Sequence, residues 1–428
     1  MSKIARVWAR EILDSRATPT VEAYCQLDTG QVAISSVPSG VSTGTYEAHE
    51  LRDGDINRYK GKGVLKAVGN VNQVLGPAII GMDPTYQEEI DNKLIQLDGT
   101  ENKSRLGANS ILAVSEVITK AGALANKLSL FRHIWEMSKA KQIPVKQMRV
   151  PTLLSVVIEG GLHGAGNLDF QEFWIVPAVS KSFSEGQQEV VEIYTTLGEN
   201  LKRRGAIHSV GEEGAFTPNL FTNIDALEIL VETIRQTRYA LGSDVFLGID
   251  VAANSIYKDG KYSIRDKSSP LDEIAMIEYY KELNATYHLE VFEDMFHEDA
   301  WGSWKKLMEE SDGNQMAIVG DDLLVTNPKR IQKAIAEKAC NTILVKPNQI
   351  GTVTETLNVC KMARDAGWKI IVSHRGGDTN DPFIADFSVG IGAEYIKCGA
   401  PARGERVAKY NRLSAIESEI KSMPNASL

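Results

Sequence analysis

Beyond Pro144 the chain alternates between two kinds of segment. Short apolar runs rich in β-branched residues (LLSVVIEG, FWIVP, VFLGID, HLEVFED, MAIVGDD, NTILVKPN, KIIVSHR and AEYIKCG) are separated by longer stretches with helical spacing. A strand covered on both faces reads as a continuous apolar run, because helices pack against each side of a parallel sheet. Strands alternating with helices predict parallel β/α units. Eight such runs fit a closed barrel. The competitor is an open doubly wound sheet, which usually carries a glycine-rich phosphate loop after its first strand. Neither GxGxxG nor GxxxxGK occurs here.

The first part of the chain has a different pattern. Residues 20–27 and 31–36 alternate and flank Asp28-Thr29-Gly30, which predicts an antiparallel pair with a turn. Small and apolar residues on a helical period predict a helix over 110–128. Strands followed by helices suggest a small α+β domain. A polar connection at 139–142 places the boundary, giving residues 1–140 as an N-terminal α+β capping domain and 141–428 as a C-terminal β/α barrel. The expected class is therefore α/β, a capping domain followed by a (β/α)8 TIM-like barrel.

The ends of the apolar runs carry the chemistry. They finish in Asp250, Glu293, Asp321, Lys346, His374-Arg375 and Lys397. Charges at the ends of buried strands are costly unless they face a functional site, and in a barrel those ends converge on one face. Salt bridges that merely stabilise the barrel mouth are the alternative reading. Three carboxylates with no Cys or His in ligand spacing favour a hard cation, and Mg2+ over Ca2+ where water and substrate need room. The basic groups supply a bidentate fork in Arg375 and, in the lysines, either charge or a general base. Together they suggest an anionic substrate bridged to a metal. Glu172, Glu212 and Glu213 read by default as loop charges, and His163 as a structural histidine. Ser39, Ser42 and Thr43 lie between glycines, in a flexible turn or in a lid over the site.

Composition narrows the class further. The 428 residues are 43% hydrophobic with a formal charge of −9, which argues against nucleic-acid binding. Four dispersed cysteines suit unpaired thiols in a reducing compartment. No signal peptide and no membrane span are visible, so a cytoplasmic protein is expected.

Several segments then resemble the enolase (phosphopyruvate hydratase) family over nearly the whole chain: EILDSRATPTVEA, PSGVSTGTYEAHELRD, VGDDLLVTNPKRI, VKPNQIGTVTET, VSHR and RVAKYNRL. The resemblance implies a barrel whose second strand runs antiparallel, and reversible dehydration of 2-phosphoglycerate to phosphoenolpyruvate in glycolysis and gluconeogenesis. It implies Asp250, Glu293 and Asp321 as ligands of the tighter Mg2+, and Ser42 as the lid residue on a second. Lys346 matches the base for the C2 proton, and Glu213 the acid for the C3 hydroxyl, with Glu172 beside it. His163, His374, Arg375 and Lys397 match substrate-contacting positions. Nearby cations are expected to depress the Lys346 pKa. A homodimer or an octamer of dimers is implied too. Some positions depart from the family pattern: Gly376 stands where Ser is usual, Asp378 for Glu, Glu159 for Asn, and Glu212 and Ala215 for Asp and Gly. A missing hydroxyl at Gly376 leaves three readings: a working enolase, a paralogue for a related phospho- or phosphono-carboxylic acid, or a fold-only binding protein. The intact carboxylates and Lys346 oppose the last.

Overall fold

The computed structural model describes residues 2–40, 46–145, 147–164, 166–311 and 316–423. Strands β1 (Ile4–Leu13), β2 (Pro19–Leu27) and β3 (Val32–Ser36) form an antiparallel sheet in sequence order. The turn between β2 and β3 closes through Leu27 N–H to the Gln31 carbonyl, with Gly30 at φ +88°. The residue pattern does not announce strand β1. Its register shifts between Ile4 and Arg6, so the buried Ile4 and Val7 stand three apart and break the period of two. Helix α1 (Gln87–Asp98) and helix α2 (Ala108–Asn126) complete this layer, α2 lying against β2 and β3. Helix α2 begins two residues before the expected start. It ends where Lys127 turns left-handed, its N–H reaching the Ala123 and Leu124 carbonyls. Helix α3 (Leu130–Ala140) contributes Phe131 and Ile134 to the apolar core of the barrel.

The eight apolar runs form the eight barrel strands: β4 (Thr152–Glu159), β5 (Glu172–Pro177), β6 (Val245–Asp250), β7 (Leu289–Glu293), β8 (Ala317–Gly320), β9 (Thr342–Val345), β10 (Lys369–Ser373) and β11 (Tyr395–Lys397). They follow one another around the barrel, and β11 closes on β4. Every pairing is parallel except the two made by β5. Among the described residues, the loop from β4 to β5 contains no crossover helix, and β5 re-enters from the end where β4 finished. Glu172 at its start therefore stands level with Glu159 and Asp250 at the ends of its neighbours. Inside the barrel, Trp174, Val156, Val291, Val319, Leu344 and Ile371 pack as a filled core. Among the described residues, no helix is long and apolar enough to cross a membrane. All four cysteines are buried and unpaired.

The small domain grips the loop that follows β10. Ser36 N–H donates to Asp381 at 2.9 Å, Ser39 N–H to the Gly377 carbonyl at 2.8 Å, and Ser15 N–H to the Asp378 carbonyl at 2.8 Å. Lys120 pairs with Asp381 at 2.7 Å. Glu116 of α2 is buried in the same seam, 3.0 Å from Ser35 Oγ, and its carboxyl is pushed up from 4.5 to about 8 by burial and by Asp381. A carboxyl with a raised folded pKa stabilises most below its unfolded value, and that contribution is lost as pH rises towards the folded one. We expect Glu116→Gln to melt like the wild type near pH 5. At pH 8 it should be more stable by about 2–4 kcal/mol, since each tenfold change in proton affinity is worth roughly 1.4 kcal/mol. Parallel pH dependences of the two melts would contradict this.

Candidate active site

Strand ends place the charged residues where the sequence predicts. Asp250, Glu293 and Lys397 close β6, β7 and β11, while Asp321, Lys346 and His374-Arg375 directly follow β8, β9 and β10. With His163, Glu172, Glu213 and Gly376 they surround one cavity of about 330 Å3, Glu293 lying just beneath its lining. Ser42 and Thr43 fall outside the described residues. Ser39 acts structurally, its hydroxyl bonded to Asp14.

The floor is a web of opposite charges. Lys397 Nζ lies 3.0 Å from Glu293 Oε1, 3.2 Å from Glu172 Oε1 and 3.4 Å from Asp250 Oδ2, over the Trp174 ring at 4.8 Å. Burial alone would lower its pKa, yet the three carboxylates hold it well above the usual lysine range. Glu293 is driven the other way: burial and then Asp250 raise it well above the ordinary carboxylate value. Its Oε2 is buried with no hydrogen-bond partner among the described residues. An orphaned carboxylate oxygen beside further acidic oxygens fits a hard divalent cation, which offers what no neighbouring donor does. Asp294, which no strand-end pattern marks, lies within ligand distance of Asp250 and Glu293. Its two oxygens accept the amides of Asp321 and Asp322 at 3.0 and 2.8 Å, so it holds the loop after β8 in place.

Lys346 pairs with Asp321, whose other oxygen accepts from Gln349 at 3.2 Å. The pKa depression expected for Lys346 needs the cations of the loaded site, because the protein's own groups act in the opposite sense. Burial lowers its pKa, and Arg375 and Lys397 add to that, but the Asp321 carboxylate outweighs them and the net shift is upward. In the protein alone, Lys346 is an ammonium.

Across the cavity lie the remaining acids and histidines. Glu213 sits 3.2 Å from His374 Nε2, and His163 Nδ1 is 3.7 and 3.8 Å from Glu172 and Glu213. Arg406, fully buried, donates to His374 Nδ1 and to the Arg375 and Gly376 carbonyls. An arginine cannot accept, so the His374 proton belongs on Nε2, facing Glu213. Burial pushes His374 down to about 4. Burial also opposes ionisation of Glu213, but His374 and His163 bring its carboxyl well below the usual range. Glu172 goes up to about 8, through burial and then the Glu213 and Asp250 charges, against the pull of Lys397. Two adjacent carboxyls are thus pushed apart and hold one proton between them at neutral pH.

Arg375 and Gly376 form the third wall. Arg375 reaches Glu47 at 3.1 Å and Asn348 at 3.2 Å, and the Gly376 amide makes no hydrogen bond to any described residue. Glu47 and Gln349 are additions to the sequence-predicted set. Gln349 stands in the helical turn Pro347–Ile350 that directly follows Lys346, while Glu47 belongs to the small domain and meets the site only through the fold.

A family model described as "Enolase, N-terminal domain" matches residues 4–134, and one described as "Enolase, C-terminal TIM barrel domain" matches residues 146–426.

Proposed function

This chain belongs to the enolase family, and from that premise we propose that it is a Mg2+-dependent lyase that reversibly dehydrates 2-phosphoglycerate to phosphoenolpyruvate. The observation that carries the reading is the division of one cavity into three chemistries. Acidic oxygens of Asp250 and Asp321 line one wall above the buried Glu293, Lys346, Lys397 and Arg375 stand along others, and the Glu172/Glu213 pair shares a proton opposite.

The difficult step is removing a weakly acidic proton beside a carboxylate that is already charged. Lys346 is the base at C2, and it must first shed its own proton and its bond to Asp321. Mg2+ held by Asp250, Glu293 and Asp321 would supply positive charge for the second negative charge on the substrate carboxylate and compete with Lys346 for Asp321. Lys397, held charged by its three carboxylates, adds to the same stabilisation. The one proton of the pair rests on Glu172; Glu213 takes it from Glu172 and passes it to the departing C3 hydroxyl, and in the reverse direction takes one from water. His374, fixed by Arg406, orients this pair. Arg375 and the Gly376 amide receive the phosphate.

The substrate is tested by a panel containing 2-phosphoglycerate and related phospho- and phosphono-carboxylic acids, assayed with Mg2+. The highest kcat/KM is expected for 2-phosphoglycerate. A higher value for another acid would favour the paralogue reading, which Gly376 supports. Gly376→Ser sharpens the point: it should lower KM for 2-phosphoglycerate about two- to ten-fold, the value of one added hydrogen bond, with kcat little changed. An unchanged or higher KM would mean that the wall is shaped for a different headgroup.

A further inference from the structure

Behind Glu213, outside the cavity, lies a second carboxyl that the mechanism does not use. Glu159 ends β4 and is 1% exposed. Its Oε1 accepts the amides of Glu213 at 3.1 Å and Ala215 at 2.9 Å, while its Oε2 has no hydrogen-bond partner among the described residues. The Glu213 loop is wrapped around this group. Gly211 N–H bonds the Ala215 carbonyl at 2.8 Å, and the Glu159 amide bonds the Phe216 carbonyl at 2.9 Å. A Cβ on Gly211 would collide with Glu159 Oε2, so only glycine lets the loop close this tightly.

Among the described residues, no cation pairs with Glu159. Glu172 from β5 and Glu213 from the loop both face it with negative charge. Tyr194, from the helix Phe183–Arg203, donates its hydroxyl to the Gly214 carbonyl at 2.7 Å. Arg403 and Arg406, at the start of the helix Gly404–Lys421, reach the Gly211 and Glu212 carbonyls rather than the carboxyl. We infer that Glu159 is a positioning residue for Glu213: a neutral carboxylic acid whose carbonyl oxygen hangs the tip of the Glu213 loop at the correct height. This rests on the reading of Glu213 as the proton donor. Burial, then Glu213 and Glu172, raise the Glu159 carboxyl to about 9, consistent with a neutral group through the physiological range. Above that range a new anion would appear beside the site where negative charge develops, and turnover should fall.

Three variants test this. Glu159→Gln is isosteric with the neutral acid and keeps the acceptor, whereas Glu159→Leu fills the space without one. Glu159→Leu should lower kcat about 100-fold, the smaller end of what a general acid contributes, with KM changed less than about three-fold. Glu159→Gln should recover most of that kcat and lose the alkaline fall, near pH 9, that the wild type shows. Wild-type kcat in Glu159→Leu, or superimposable alkaline limbs for wild type and Glu159→Gln, would overturn the inference; the second comparison holds even if the leucine variant does not fold. Glu213→Gln separates the two levels. If it turns over normally, the role given to Glu213 is wrong. If it is inactive while Glu159→Leu is not impaired, only the positioning role is lost.

Discussion

Lys346→Ala is expected to lose turnover by about 10^4-fold, the upper range for a positioned general base, while its circular dichroism remains that of the wild type. The size follows from the absence of any substitute. Lys397 is the other lysine of the site, and it is buried and locked by three carboxylates at 3.0–3.4 Å. The variant also reports on the pair that Lys346 makes with Asp321. Removing one partner of a buried ion pair leaves an uncompensated charge, at a cost of about 3–5 kcal/mol. The variant should therefore melt below the wild type in chelator and recover much of the difference when Mg2+ is added. Near-normal turnover would remove Lys346 from the mechanism.

The second large effect is that of the metal. In chelator, turnover should fall at least ~10^3-fold, corresponding to about 4 kcal/mol of lost transition-state stabilisation, and Mg2+ should restore it. The same carboxylates predict a stability signal that needs no substrate. Asp250, Glu293 and Asp294 crowd their oxygens together, and burial plus mutual repulsion hold Glu293 and Asp294 far from their ordinary pKa values. A cation that relieves this repulsion binds only the folded chain, so Mg2+ at about 100 times its Kd should stabilise by about 2.7 kcal/mol. Glu293→Gln should lose most of that shift. A Mg2+-independent melt in the wild type would contradict the assignment of these carboxylates.

Much of the fold is legible along the chain because barrel strands are covered on both faces. Each strand reads as an uninterrupted apolar run, and the first charge after it marks the mouth, as at Asp250 and Lys397. Glu172 is harder, because it opens a strand rather than closing one. It reaches the mouth only because β5 runs against its neighbours. Strand β1 is obscured by its register shift. Glu47 and Arg406 come from a loop and a helix far from the strands they serve, so the strand-end pattern does not mark them, although both lie in segments that resemble the family. In the protein alone the Lys346 pKa is shifted upward, for a related reason. The cations are readable from sequence, but the ion pair that overrides them depends on side-chain geometry across two strand ends.

The central claim is that Lys346 removes the C2 proton of 2-phosphoglycerate. Incubating the purified protein with that compound and Mg2+ in D2O, and following the C2 hydrogen by NMR, reads this step directly. The account predicts exchange of the C2 hydrogen for deuterium by the wild type, and none in chelator or with Lys346→Ala. Retention of the C2 hydrogen by wild-type protein that binds the compound, or exchange undiminished in Lys346→Ala, would contradict it.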